Sequence, residues 1–422
     1  MTGHSLIAPI DNPRARQLYS AAVILLALLP VAMVIANRSS IAFLVASTLC
    51  ALGGAAAERR IGDVVRDLRS ALAAPLGLAA LAFLAWSALS LLWSGARPIT
   101  LHFLGEFWLP VGSALLLSLI LPQRLSRAGL WLIAGALVLG CAIILVELAL
   151  GLDHRRALGA RAAGYIFNRS TVTILTLAIP VLAGLLVLAG ARERAGALVL
   201  FAAVAAVAMV TESGAGALGF LVALAARGAA SLAPRWTAGL GAAGLMLVLA
   251  SAPFWGPLAE TRLPGSVHQA LSGAHTRERA AIWSAFGAVV REEPVVGTGF
   301  ATSARMPSLP VAARIEARHQ PGLVMNHPHN AALQVWVELG IVGAALAALV
   351  VLLTLRAIMR LPRRALPMAL ALFATVAAIS LVSHGAWQGW WAAAVGAAIV
   401  LARAVERLAS NAAEGTARRV RP

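Results

Sequence analysis

Lysine is absent from this 422-residue chain, and all 34 basic side chains are arginine. That absence excludes a lysine Schiff base and a lysine general base. Cysteine is nearly absent as well. Cys50 and Cys141 lie in separate apolar runs, make no disulfide or metal-ligand pattern, and read as small core hydrophobes. Charge is scarce: 12% of residues are charged against 60% hydrophobic, with a mean hydropathy of +0.85, which excludes an ordinary soluble globular domain.

What fills the chain instead is membrane-spanning sequence. Apolar runs occur at 18–36, 40–57, 72–94, 103–121, 128–151, 170–189, 195–210, 214–233, 237–255, 331–355, 365–383 and 386–403. Each can cross a hydrocarbon layer of about 30 Å at about 1.5 Å of rise per residue. The fold class is therefore an all-α polytopic membrane protein of about twelve transmembrane helices. Helices one to nine occupy 1–255, a large external loop 256–330, helices ten to twelve 331–403, and a basic tail 404–422. Arg14 and Arg16 precede a first run too long for a signal-peptide core, so that run is expected to remain as a span.

Arginine placement sets the orientation. With both termini cytoplasmic, the arginines within 59–69, 124–127, 192–194, 227–235 and 356–364 all fall inside, as the positive-inside rule requires. Most of the formal charge of +17 is read this way, as topology determinants and contacts to anionic lipid headgroups, with no call for nucleic acid. Two external segments break the rule. One is 153–169, DHRRALGARAAGYIFNR, with Arg155, Arg156, Arg161 and Arg169; the other is the large loop, which translocates regardless of its charge. A planar guanidinium suits bidentate phosphate, so the first group is a candidate diphosphate cradle, against ordinary lipid contacts or pairing with acids such as Asp153. Arg169 stands at the start of a span, where a charge needs a reason.

Within the large loop, TRERAAIWSAFGAVVREE at 276–293 places Trp283, Phe286 and Val290 on one helical face. An amphipathic helix is expected there, lying on the membrane or against the bundle. Arg279, four residues before Trp283, shares its apolar face and calls for an anionic partner, either a distant Glu or a substrate phosphate. The chain then turns at Pro294 into VVGTGF, where Gly297 and Gly299 permit a tight turn whose amides can face an anion.

At 325–343 the order MNHPHNAALQVWVELGIVG sets two histidines and two asparagines before the tenth apolar run. Pro328 stops any helix through His327, and Asn326 or Asn330 can cap the next one, so His329 is expected at or within its first turn. The helix dipole there favours a neutral imidazole, suited to act as a general base, with Asn330 to orient substrate or ring. A capping or hydrogen-bonding role is the plainer alternative. Zinc on His327 and His329 is disfavoured, because two residues apart across a proline is not a helical pair, no cysteine is near, and 256–330 contains no aspartate. Glu338 lies about 13 Å along the helix from His329 and half a turn out of phase, so it is expected to bond inside the bundle instead. Gly340 and Gly343 read as a small face for close helix packing.

These residues resemble a family. Arg279-x-x-x-Trp283, EPVVGTGF at 293–300, His329-Asn330-x-x-Leu333 and Glu338-Leu-Gly340-x-x-Gly343 look like the signature of the O-antigen ligase and polymerase superfamily. The likeness is close over about 276–345 and otherwise rests on span count, the position of the large loop and GYIFNRS before the sixth span. It implies a periplasm-facing, metal-independent, inverting glycosyltransferase of the bacterial inner membrane with no cofactor, which uses an undecaprenyl-diphosphate-linked glycan. His329 matches the family's histidine and Arg279 the arginine that holds the donor diphosphate. A ligase acting on a lipid A-core acceptor is the leading form, and a polymerase acting on a glycan acceptor the alternative. The family's Ser-Arg pair after the seventh span is Thr211-Glu212-Ser213-Gly214 here, so Arg169 or the 155–161 group is expected to supply the missing charge. The lack of aspartate in the large loop also argues against an aspartate-dependent glycosyltransferase of the cell-wall type.

From other classes, a transporter or flippase of lipid-linked glycan shares the span count, but no half-chain repeat is visible and the polar residues gather at one face. A structural envelope subunit is a third option.

Overall fold

The computed structural model describes residues 12–270 and 275–420, with side chains described as far as 410 apart from 267, 268 and 270. The described residues are helical, with no strand. The helices are α1 (Pro13–Ile35), α2 (Ser40–Ala57), α3 (Ile61–Ala73), α4 (Pro75–Leu89), α5 (Arg97–Ile120), α6 (Arg127–Ala149), α7 (Asp153–Ala157), α8 (Asn168–Leu188) and α9 (Ala191–Val210). There follow α10 (Gly214–Leu232), α11 (Pro234–Ser251), α12 (Trp255–Arg262), α13 (Gly265–Ala270), α14 (Thr276–Glu292), α15 (Ala331–Ile358), α16 (Leu366–Val382) and α17 (Gly389–Val420). Among the described residues ten helices are long and apolar enough to cross a membrane. The last two expected runs correspond to α16, of 17 residues, and to the first part of α17. The basic tail at 404–422 begins inside α17, and its terminal arginines lie outside the described side chains.

Local chemistry starts and stops these helices. Proline opens α1, α4 and α11, where its missing N–H costs nothing. The Asn12, Ser126 and Ser213 side chains cap α1, α6 and α10. At the centre of the bundle α17 packs on α5 and α8 through Ala393, Ala394, Ala397 and Ala398, all fully buried. Small side chains on this face let backbones approach and gain dispersion contacts that lipid would not supply. Leucines such as Leu232 and Leu247 stay exposed on the outside of the bundle, as suits a lipid-facing surface.

Between α11 and α15 the chain folds into a cap with its own core, formed by Phe286, Val289, Met306 and Leu323 and closed by Leu333 and Val337 of α15. Of the two placements expected for the amphipathic helix, on the membrane or against the bundle, α14 takes the second and packs on α15. Residues 284–290 of α14 are all buried, and α12 and the 3-10 segments Pro310–Arg314 and Ala317–Val324 pack on it. Small residues make this possible: a Cβ on Gly256 would lie 2.0 Å from the Ser284 amide nitrogen, and one on Gly287 2.5 Å from the Pro253 carbonyl.

The tenth span is broken. Gly340 adopts φ 64° and ψ −163°, which only glycine tolerates, and a Cβ there would fall 2.2 Å from the Val295 carbonyl oxygen. The segment 294–299 runs beside this break and takes up the bonds it frees. The amides of Thr298 and Gly299 donate to the carbonyls of Val337 and Glu338 at 2.9 Å each, Ile341 N–H donates to the Pro294 carbonyl, and the Trp86 indole donates to Leu339. Every such group must find an internal partner within a bilayer. Gly340 therefore makes a helix break that admits the segment 294–299, in place of the helix-packing face expected of it, and the atoms nearest an added Cβ on Gly343 belong to Leu339 of its own helix.

Candidate active site

The site forms where the cap, the start of α8 and the turn 383–388 meet. His329 adopts φ 52°, a left-handed conformation, between Pro328 and the extended Asn330. The helix begins at Ala331 with Asn330 as its N-cap, so His329 precedes the first turn and does not sit within it. Asn330 is 1% exposed and its Oδ1 accepts from Leu333 N–H at 3.1 Å, which makes it the cap for α15. The Trp283 indole donates to the Pro328 carbonyl at 2.9 Å and anchors the loop to α14.

His329 Nδ1–H donates to the Ser383 carbonyl at 2.6 Å. A carbonyl only accepts, so this bond places the proton on Nδ1 and leaves the Nε2 lone pair available. The His329 backbone N–H donates to His327 Nδ1 at 3.2 Å, and the two rings lie 4.2 Å apart. Burial holds His329 below the usual imidazole range; the Ser383 bond offsets part of that shift and the charge of Arg279 adds to it. Burial pushes His327 down to about 3, with the charges of His329 and Arg169 adding to the effect. Both rings are neutral at pH 7.

Arg279 lies beside this pair, and its guanidinium donates to the Val382 carbonyl, one residue before the carbonyl that holds His329. Burial lowers its pKa, but an arginine remains charged at physiological pH. Arg169 enters from α8 and stacks over Trp390 at 5.3 Å. The other arginines of that external segment are engaged elsewhere. Arg155 donates to the Val34 carbonyl at 2.8 Å and stacks on Phe167, Arg156 pairs with Asp153, and Arg161 stacks on Tyr165. Of the four, Arg169 is the one brought to the histidines.

His384 was not anticipated. Its Nε2 is 3.0 Å from Ser383 Oγ, its ring stands edge-on to Trp390 at 4.7 Å, and burial followed by the charge of Arg169 pushes it down to about 3. Gln388 reaches the same cluster, with its amide nitrogen 3.4 Å from His327 Nε2. The sequence signal was a polar interruption, SHGAWQG, between two apolar runs. Among the described residues no three His, Cys, Asp or Glu side chains are arranged to hold a metal ion.

The glycine turn behaves differently from the anion nest expected. The amides of Ala301 and Ser303 donate to the Glu338 carboxylate, and Phe300 N–H donates to Ser90 Oγ at 2.9 Å. The anion faced by these amides is thus the protein's own Glu338, fully buried, which also accepts from the Gln334 amide at 2.9 Å and from the Trp387 indole.

Two apolar cavities flank the bundle. One of about 740 Å³ runs from Arg356 and Arg360 past Phe107 to Ala331 and Ala386, so it reaches the helix start and turn that frame the histidines. The other, of about 390 Å³, lies between α8, α9, α10 and α16, away from them.

A comparison with curated proteins finds no match. Residues 197–348 match the family model described as O-Antigen ligase, a segment that holds Arg279, the glycine turn, His329 and Glu338 and ends before Ser383 and His384. The chain thus joins ten helices long and apolar enough to cross a membrane, among its described residues, to a segment over 197–348 that is similar to the O-Antigen ligase family.

Proposed function

We propose that the protein transfers a glycan, with inversion and without a metal ion, from an undecaprenyl-diphosphate donor to a hydroxyl acceptor at the periplasmic face of the inner membrane, as an O-antigen ligase acting on lipid A-core. The observation that carries this reading is the orientation of His329: Nδ1–H is committed to the Ser383 carbonyl, so Nε2 is free to take a proton, and Arg279 is held on the adjacent carbonyl. In the reaction the acceptor oxygen attacks the anomeric carbon as its proton passes to His329 Nε2. The bond from that carbon to the diphosphate oxygen breaks on the opposite face, and undecaprenyl diphosphate leaves. A diphosphate is a good leaving group that needs no general acid, and guanidinium groups stabilise the charge it gains. The imidazolium then gives its proton to water.

Arg279 and Arg169 are the phosphate partners in this reading. Arg169 also answers the missing motif arginine. The start of α8 packs on the Thr211–Gly214 turn, where Thr171 Oγ1 is 3.4 Å from Thr211 Oγ1 and a Cβ on Gly164 would meet Glu212 at 2.2 Å. The 740 Å³ apolar groove that ends beside the site suits a donor with a long hydrocarbon tail.

Purified protein in lipid nanodiscs, supplied with an undecaprenyl-diphosphate oligosaccharide and lipid A-core, tests the reading. Sugar appearing on lipid A-core is the expected result. Longer lipid-linked glycans in place of that product would reassign the chain as a polymerase, and no transfer of either kind would defeat the reading.

A further inference from the structure

Glu338 lies beyond reach of His329 along the helix, yet the geometry points to Glu338 as the positioning residue that fixes the orientation of His329, acting through the turn 383–388. This inference rests on the reading of His329 as the base.

The path is continuous and each bond has one sense. Four N–H groups converge on the Glu338 carboxylate: Ala301, Ser303, the Gln334 amide and the Trp387 indole. Because Gln334 donates with its nitrogen to Glu338, its oxygen faces the other way, and there it accepts the Ala386 N–H at 2.8 Å. Glu338 thus grips two successive residues of the turn, Ala386 through Gln334 and Trp387 directly. The same turn presents the Ser383 carbonyl to His329 Nδ1–H and follows the Val382 carbonyl that takes Arg279. Trp387 is further clamped by Phe300 at 4.6 Å, Phe107 at 5.5 Å and Phe83 at 5.9 Å, so the turn has little room to move once its indole is held. An acceptor-only group is what four donors require. A neutral amide in its place turns an NH₂ toward N–H groups and breaks the grip on the turn.

Among the described residues the charged and titratable groups around His329 are Arg279 from α14, Arg169 from α8, His327 from its own loop and His384 from the turn. None of them accepts a bond from Nδ1–H, so the Ser383 carbonyl alone accounts for the proton there. Loss of that carbonyl frees the ring to rotate and to exchange tautomers.

The test uses the full chain in nanodiscs with ¹⁵N-labelled histidine, the His329 signals assigned by their loss in His329→Asn. In the wild-type protein at pH 8, Nδ1 is expected to be protonated and Nε2 bare. Glu338→Gln should give a mixed population of tautomers. Trp387→Phe, which removes one donor and keeps the aromatic ring, should move the same signals in the same direction by less, and it decides the matter if Glu338→Gln does not fold. Unchanged His329 signals in the folded variants would overturn the proposal. This readout needs no substrate, so it stands apart from any failure of the transferase reading.

Where transfer is measurable, Glu338→Gln should lower kcat about tenfold to a hundredfold, the scale of a displaced catalytic group, with KM for the lipid-linked donor little changed. The acid limb of kcat should move to lower pH, since the Ser383 bond that holds the His329 pKa up is lost. A fall in kcat with the acid limb unmoved would mark a merely structural residue and contradict the proposal.

Discussion

His329 and Arg279 hold adjacent carbonyls, and this fixes what substitution should do. Arg279→Lys keeps the charge but loses the planar fork, so kcat/KM for a diphosphate donor should fall about tenfold or more in a transfer assay. Arg169→Ala should cost a comparable factor, and full activity in that variant would remove Arg169 from the phosphate site. The half-buried histidines also set an acid limit to stability. His327 and His384 titrate near 3 in the fold, against about 6.5 in an unfolded chain. Between those values the unfolded state binds more protons, so stability is present above about pH 6.5 and is lost as pH falls below it. Thermal unfolding in detergent should show a midpoint that drops from pH 7 to pH 5, with a shallower drop in His384→Gln. At this scale the motif residues were legible because HPHN and Arg279-x-x-x-Trp283 are local patterns. His384 was not, since it occupies a turn with no periodicity and joins the cluster only when α16 and α17 return the chain to the cap.

At the scale of elements, hydrophobic periodicity places the helices well and says little about how they are interrupted. The ELGIVG segment reads as a small-residue packing face. In the fold Gly340 is a break, and the glycine turn 297–299 is the insert that repairs it. Neither half of that pair means much alone in sequence, because each explains the other only through a contact across the loop. Gly340→Ala should therefore cost about 1–3 kcal/mol in backbone strain, with further loss from the clash at Val295. Gly244→Ala, in a helical site with nothing within 4 Å of the added Cβ, should be neutral or slightly stabilising. Thermal midpoints of the two variants in the same detergent check the contrast. The same limit applies to α14: its polar residues suggest an exposed face, whereas its small residues admit α12 and cap segments that the pattern does not announce.

For the whole molecule, composition and arginine distribution decide the class and the expected orientation. They do not foretell that the loop 256–330 would build a core of its own, because that core draws on Leu333 and Val337 from a span. The orientation is testable through single cysteines. Cys50 and Cys141 lie in spans, so with both replaced by alanine, a cysteine at exposed Arg305 should react with a membrane-impermeant maleimide in intact spheroplasts, and one at exposed Arg227 only after lysis. The reverse pattern would invert the topology. The most direct measurement of the central claim is the pH dependence of glycan transfer from an undecaprenyl-diphosphate donor by wild-type protein and by His329→Ala. If His329 Nε2 takes the acceptor proton, wild-type kcat should be level near pH 7 and fall on a single-proton acid limb below about 6.5, and His329→Ala should lose about a hundredfold or more and the limb with it. Transfer by His329→Ala within a few-fold of wild type, on the same acid limb, would contradict the account.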